Sequence, residues 1–369
     1  MHAEARSRPL LGALLHLESR RIATRHGPFR VEVLRDLASR RNVLALGLGD
    51  LRAPQPLLAR VHGACTAGEC LAGCDCDCAE NLDGALAAVA AEGRGLVFYL
   101  QQEGRGAGFC AAARGRMAVQ ASGGILAPAE AYDLIGLERE PAREVAVAVI
   151  CRLLGVAAPL RLLTGDAEEA AALEAQGVAV RESVPFAPGT PSAASGALPL
   201  PEAVAYFDPE PLPDAPRFLR VASYLLPVRA GGSAAPLWFR VHAYLDRESG
   251  AERWVLTHGR LREPLVCLQR DALLERFALD ARRRWLAAAR RIAAHGAGCA
   301  VFLPVQLAGS GPALPDEAAL TLMAHHVKGR RAQLLLDAAD AAATERACKE
   351  PLQRRGISLA ASLVLGDAT

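Results

Sequence analysis

Apolar and polar residues alternate through Phe29-Arg30-Val31-Glu32-Val33, residues 43–48 hold no polar side chain, and Leu57-Leu58-Ala59-Arg60-Val61 is nearly all apolar. A period of two reads as a half-buried strand and a short apolar run as a buried one, so 28–62 predict a β-rich opening. Leu82, Leu86 and Val89 then recur at helical spacing within 81–92, and the segment stops before Gly93, a residue type suited to helix ends. Residues 95–101 follow as a short buried strand. The same reasoning gives a helix over 144–154, a strand over 160–164, a helix over 168–176 closed by Gly177, and a strand over 178–180. This half of the chain is therefore α/β or α+β and ends near Pro185.

From Pro185 to Pro216 the chain is dense in Pro, Ala, Gly and Ser, which favours an irregular connection. The chain divides into 20–186, a linker over 187–216 and a second half over 217–369. The second half repeats the first. Phe29-Arg30-Val31 returns as Phe239-Arg240-Val241, Gly49-Asp50-Leu51-Arg52 as Gly259-Arg260-Leu261-Arg262, and Pro54 as Pro264, all at an offset of 210. Val89-Ala90-Ala91-Glu92-Gly93 returns as Ile292-Ala293-Ala294-His295-Gly296, and Gly95 as Gly298, at an offset of 203. The seven residues lost fall between Pro264 and the helix, where the first copy holds a cysteine loop. Leu173 to Val178 is echoed by Leu352 to Ile357, and matches in this order predict a tandem duplication.

Composition changes this picture little. The 42 basic and 40 acidic residues are well mixed, so bulk charge gives no footprint for nucleic acid or an anionic membrane. No apolar run approaches the length of a bilayer span. Arg6, Arg8 and the stretch up to Leu17 include His16 and run into Glu18, which argues against a secretory leader. The cysteines change it more. Five of the ten lie between Cys65 and Cys78, too clustered to staple a large fold, which points to metal binding in a reducing cytoplasm.

That loop reads Cys65, ten residues, then Cys76-Asp77-Cys78. Three thiolates with one open position make a catalytic zinc site, whereas a closed structural knot would recruit Cys70 or Cys74 as a fourth ligand. The spacing leaves both open. Further on, Glu103-Gly104-Arg105 offers an anion a guanidinium and accessible backbone N–H groups, and read alone it is equally a tight turn with a surface arginine.

The string from Arg60 to Cys78, followed by Tyr99 through Gln102-Glu103-Gly104-Arg105 to Phe109, resembles the two signature segments of GTP cyclohydrolase II. The resemblance spans about residues 20–186, including Leu162-Leu163-Thr164. It implies a mixed sheet flanked by helices, zinc on Cys65, Cys76 and Cys78, and a hydrolase that opens the imidazole ring of a purine nucleotide. In that family C8 leaves as formate, pyrophosphate is also removed, and Mg2+ accompanies the triphosphate. The implied substrate contacts are Arg60, Val61, Gln102, Glu103, Gly104, Arg105 and Thr164. The family's catalytic Asp-x-Arg pair, its acid and nucleophile, maps to Glu140 and, allowing a one-residue gap, Arg143, with Ala142 at the aligned arginine position. A homodimeric habit is implied too, so the second copy is expected to serve as an internal partner, making the chain a pseudo-dimer.

Departures concentrate on recognition. The Ser-Glu expected before the first zinc cysteine is Gly63-Ala64; the arginines expected before the Cys-Asp-Cys turn and before the Gln-Glu-Gly-Arg string are Asp75 and Gln101; a tyrosine aligns with Met117; a lysine maps to Glu169. The resemblance thus implies retained metal chemistry with altered specificity on a small-molecule nucleotide or heterocycle. Two other readings stay open: a catalytically inactive nucleotide-binding or regulatory homologue, and a structural zinc scaffold. The second copy has no Cys-x-Cys and no Glu-Gly-Arg string, so it is expected to bind no zinc, and His325-His326 reads as a helix end rather than a ligand pair.

Overall fold

The structure is a computed structural model that describes residues 14–137, 142–186, 198–230, 235–278, 282–304, 306, 314–327, 329–338 and 341–365. These fall into two compact units that interleave along the chain. One comprises 14–64, 80–102 and 142–186; the other comprises 65–79, 103–137 and the described residues from 198 onward.

The first unit holds strands β1 (Leu14–Thr24), β2 (Gly27–Asp36), β3 (Asn42–Leu48), β4 (Leu57–Gly63), β5 (Gly95–Leu100), β6 (Leu160–Leu163) and β7 (Val180–Val184). They form one sheet in the order β1-β2-β3-β5-β4-β6-β7. Pairing is antiparallel from β1 to β5 and parallel from β5 to β7. Helix α1 (Cys78–Glu92) buries Leu82, Leu86 and Val89. Helices α4 (Ala142–Leu154) and α5 (Ala167–Ala175) put Val147, Ile150 and Leu173 into one core with Val43, Ala59, Phe98 and Leu162.

Two differences from the sequence reading have simple causes. The periodicity gives no hint of β1, because it is an edge strand with Leu15 and Leu17 exposed, so no apolar face is written into it. β7 begins at Val180 rather than 178, because the Val178 N–H is spent on Leu173 O while Gly177 N–H bonds Glu174 O, closing α5.

The second unit holds helices α2 (Phe109–Ala121) and α3 (Pro128–Leu134), then strands β8 (Glu210–Leu212), β9 (Ala215–Val228), β10 (Leu237–Asp246), β11 (Glu252–Gly259) and β12 (Leu265–Gln269). Helix α6 (Arg283–His295), β13 (Ala297–Phe302), α7 (Glu317–Val327), β14 (Arg331–Asp337), α8 (Ala341–Arg354) and β15 (Ser358–Leu365) follow. The sheet order is β15-β14-β12-β13-β11-β10-β9-β8. Read from its other edge and without β8, this is the order of the first sheet, with the same sense at each pair. The fold is thus two similar mixed sheets flanked by helices. β8 and the start of β9 lie inside the Pro-rich segment, where Pro211 sits in the outermost strand and Val204 is buried.

Register refines the repeat. Leu48 pairs with Gly95 and His258 with Gly298, as the offsets of 210 and 203 require. Ala59, however, pairs with Leu96 and Val266 with Cys299, so β12 stands at an offset of 207 from β4. The seven-residue loss is therefore split, three residues before β12 and four after it. Pro264 adjoins its strand while Pro54 does not, so that match is no structural equivalence.

His326, at the end of α7, meets the Tyr244 hydroxyl at 2.8 Å and packs against His242, while His325 pairs with Asp214. Desolvation pushes His326 down to about 3, helped by the His325 and Arg220 charges and opposed by Asp214, and it pushes His242 well below its ordinary value, helped by His326, Arg240, Arg220 and His325. Both folded values lie below the unfolded one, so the unfolded chain takes up protons first as pH falls. Stability is therefore full above about pH 6.5 and declines below it, by up to about 1.4 kcal/mol per pH unit for each imidazole. Urea midpoints measured from pH 7.5 to 5 should fall, and His326→Gln should flatten the slope.

Candidate functional site

After β4 the chain turns sharply. Cys65 is extended (φ −135°, ψ 97°) and opens a wide helical turn, Thr66–Cys70, with its Sγ accepting the Gly68 N–H at 3.4 Å. Cys76 and Cys78 lie beyond the loop, Cys78 being the first residue of α1. The three sulfurs all lie within 4.8 Å of one another, Cys65 and Cys76 at 3.9 Å. Close approach is possible because residue 68 is glycine: a Cβ there would sit 3.0 Å from Cys76 Sγ. Among the described residues, this trio is the group of His, Cys, Asp or Glu able to hold an ion, and Cys70 and Cys74 are outside it. Burial pushes both of those thiols up, as expected of inert cysteines.

The three sulfurs compete for one negative charge. Hydrogen bonds from Cys65 and Cys78, and the nearby Arg116, hold Cys76 far below the usual thiol range. Cys65 is pushed up by its bonds to the other two and by burial. At Cys78 the bond from Cys65 pulls down but is outweighed by Cys76 and burial. A divalent cation reverses this ordering, because it makes all three thiolates favourable at once. The donor set therefore fits a soft tetrahedral ion with three protein ligands and one position left over.

Helix α2 brings Arg116 to this cluster. Its Nη2 lies 3.6 Å from Cys76 Sγ, its Nη1 donates to Asp75, and the guanidinium lies over the Tyr224 ring at 5.7 Å. Asp75, where an arginine is expected, thus faces a cation supplied by another element. Met117, the position aligned with the family tyrosine, is fully buried and accepts the Ser223 N–H, so it faces the core. The α2 N-terminus is held by Glu252, whose oxygens accept the Phe109 and Cys110 N–H groups at 3.0 and 2.8 Å.

The segment Glu103-Gly104-Arg105 forms a tight turn. Gly104 has φ +62°, and a Cβ there would meet Gly108 O at 2.5 Å. Arg105 donates to Asp133, Leu137 O and Ala129 O, with its guanidinium over Tyr132, so it ties the turn to α3. Glu103 accepts the Thr66 N–H at 2.9 Å; burial raises its pKa to about 7, against the pull of that bond and of Arg276.

The remaining sites lie in the first unit. Arg60 donates to Leu163 O at 2.5 Å with its guanidinium over Phe186, and Val61 is a core side chain that offers a ligand only its backbone. Thr164 is buried, its hydroxyl accepting the Asp166 N–H. Gln101 is tied to the Asn42 backbone. Arg143 approaches Gly63, whose Cβ position is 3.9 Å from its Nη2, and stands 3.8 Å from Glu169. Buried polar atoms with no hydrogen-bond partner here include the acceptor Gln102 Oε1 and the donor Arg143 Nε. Glu140 lies outside the described residues.

Sequence reasoning missed Arg116, Glu252 and Glu69. The only available signal for Arg116 was helical spacing from Phe109, which places it one position before Met117 on α2. Nothing local marks Glu252, because its partners are more than 140 residues away.

A family model for GTP cyclohydrolase II matches residues 16–185. GTP cyclohydrolase-2 of Pseudomonas aeruginosa (strain LESB58) is 33% identical over 177 residues, which cover 48% of this chain and 84% of the relative. The Pseudomonas putida (strain F1) protein of the same name is 35% identical over 170 residues, 46% and 80% of the two chains. Among solved structures, a two-domain 3,4-dihydroxy-2-butanone 4-phosphate synthase from A. baumannii aligns over 47% of this chain and 41% of its own. Its identity is 19% and its TM-score 0.29, too low to bear on the fold.

Proposed function

Because the chain belongs to the GTP cyclohydrolase II family, we propose that it is a zinc-dependent hydrolase that opens the ring of a purine nucleotide or related heterocycle other than ordinary GTP. The observation that carries this reading is the convergence of Cys65, Cys76 and Cys78 with no fourth protein ligand among the described residues. When bound there, zinc would polarise the substrate and supply an activated water at neutral pH. The chain's own residues do the rest. Arg116 adds positive charge beside Cys76, so a site with three thiolates and one divalent ion is left less anionic. Separately, in the first unit, Gln102 Oε1 and Arg143 Nε, a buried acceptor and a buried donor, suit a ligand that provides the opposite of each.

Altered specificity follows from where the cations are spent. Asp75 takes up part of Arg116, and Arg105 is committed to α3. A triphosphate carries about four negative charges and needs cations free to meet them. Gly63 and Ala64 offer guanine no carboxylate. Formate release by the purified, zinc-loaded chain tests this across GTP, purine monophosphates and uncharged heterocycles. Slow turnover of GTP with faster turnover of a less anionic ring is expected. Full GTP activity at ordinary concentrations would remove the altered specificity. Saturable nucleotide binding without ring opening by any of them would favour an inactive homologue.

A further inference from the structure

The turn that carries Cys65 is held by side-chain and backbone groups of the second repeat. Its carbonyls find donors there: Gly68 O accepts from Arg282 at 3.1 Å, Leu71 O from Trp285 Nε1 at 2.7 Å, and Ala72 O from the Arg229 N–H at 3.1 Å. Beneath it lies a nearly solvent-free set of charges. Arg276, 3% exposed, donates through Nε to Asp271 at 3.0 Å, stands 3.8 Å from Glu69 Oε2, and reaches Thr66 Oγ1 at 3.5 Å. The other Glu69 oxygen accepts the Cys65 N–H at 3.1 Å. A continuous polar path therefore runs from Arg276 through Glu69 to the backbone of a metal-site cysteine.

The repeat explains how this arose. Thr66–Cys70 and the short turn Leu273–Phe277 stand at the same offset of 207, each entered from an extended residue, Cys65 and Ala272. At that offset Arg276 is the counterpart of Glu69, and Asp271 of Ala64. Two identical copies would bring like residues together at this contact, whereas one tandem chain can place a carboxylate in one copy and a guanidinium in the other. Ala272 holds the place of Cys65, so the second copy has kept the turn and lost its ligand.

We propose that Arg276 is a positioning residue for the metal turn, acting through Glu69, and that the second repeat serves as the template on which the thiol cluster is set. This rests on the zinc reading above. Without Arg276, the buried Glu69 carboxylate loses the guanidinium that fixes it in place and is free to swing away from the Cys65 N–H. That movement loosens the Cys65 backbone and widens the sulfur spacing. Glu69 and Arg276 touch no substrate in this account.

The test uses the full chain, with zinc affinity from competition against a chromophoric chelator and the thiolate-to-metal absorption of the cobalt-substituted protein. Arg276→Met is expected to weaken zinc binding at least tenfold and shift the cobalt bands, and Arg276→Lys, which keeps the charge, to recover part of the loss. Leu352→Ala, in the separate core of the second sheet, supplies a comparison that destabilises without touching the turn. It is expected to keep wild-type affinity and spectrum. Wild-type zinc binding and spectrum in Arg276→Met would overturn the inference and leave the zinc reading standing. An equal loss of affinity in Leu352→Ala would overturn it too. A wild-type chain that takes up no zinc would overturn the zinc reading first, and this inference with it.

Discussion

Serine at any one of Cys65, Cys76 or Cys78 is expected to abolish the zinc binding proposed above, while serine at Cys70 or Cys74 leaves it intact. The first three sulfurs lie within 4.8 Å of one another, and the other two cysteines are outside the group. Structural zinc sites bind with about 10–16 kcal/mol, so the loss of one of three thiolates costs several kcal/mol, or roughly a thousandfold in affinity or more. Metal content after gel filtration reads this directly, falling from about one ion per chain to near none. Ring-opening activity should fall with it. Full zinc in Cys65→Ser, or its loss in Cys74→Ser, would show that a different set of ligands holds the ion.

What the sequence revealed of this site was the part written locally. A Cys-x-Cys step and a cysteine eleven residues earlier are close along the chain, and the turn between them closes on glycine 68, so spacing alone could bring the sulfurs together. The charges around them were misjudged for the opposite reason. Asp75 reads as a lost arginine, yet its partner Arg116 lies forty-one residues on, on a helix whose rotation the sequence does not fix. Met117, aligned with the missing tyrosine, is buried in the core while its neighbour Arg116 reaches the cluster, because on a helix one residue is a turn of about 100°. The buried set of Glu69, Arg276 and Asp271 spans more than two hundred residues, and no local pattern predicts it.

The fold was more legible than the site. Buried strands β2, β3, β4 and β5 announce themselves because both faces or every second residue must be apolar, whereas β1 is half solvent and carries no such mark. Arg105 marks the limit of motif reading. Its Gly-Arg-Gly setting suggests an anion site, and in the structure the guanidinium closes a turn against α3.

Alanine at Gly259 is expected to be among the most damaging single changes in the chain, costing more than about 4 kcal/mol. Its φ of +64° already penalises a side chain by about 1–2 kcal/mol. A Cβ there would also stand 1.9 Å from Gly296 O, where backbone meets backbone and neither can swing aside. Gly49, its counterpart in the first sheet, has φ +72° and a Cβ position 2.7 Å from Gly93 O, so Gly49→Ala should be harmful but less so. Gly296→Ala isolates the conformational part. It has φ +85° with nothing within 4 Å of its Cβ, and should cost only about 1 kcal/mol. Urea unfolding of the three variants ranks them, and a Gly259→Ala protein within 1 kcal/mol of wild type would mean that strand end and helix end do not meet this closely. The same contact explains why the likeness between the two sheets is readable at these glycines. Core leucines and valines exchange freely at similar volume, but a strand that runs out against a helix-closing glycine leaves room for a hydrogen and nothing larger, in either copy.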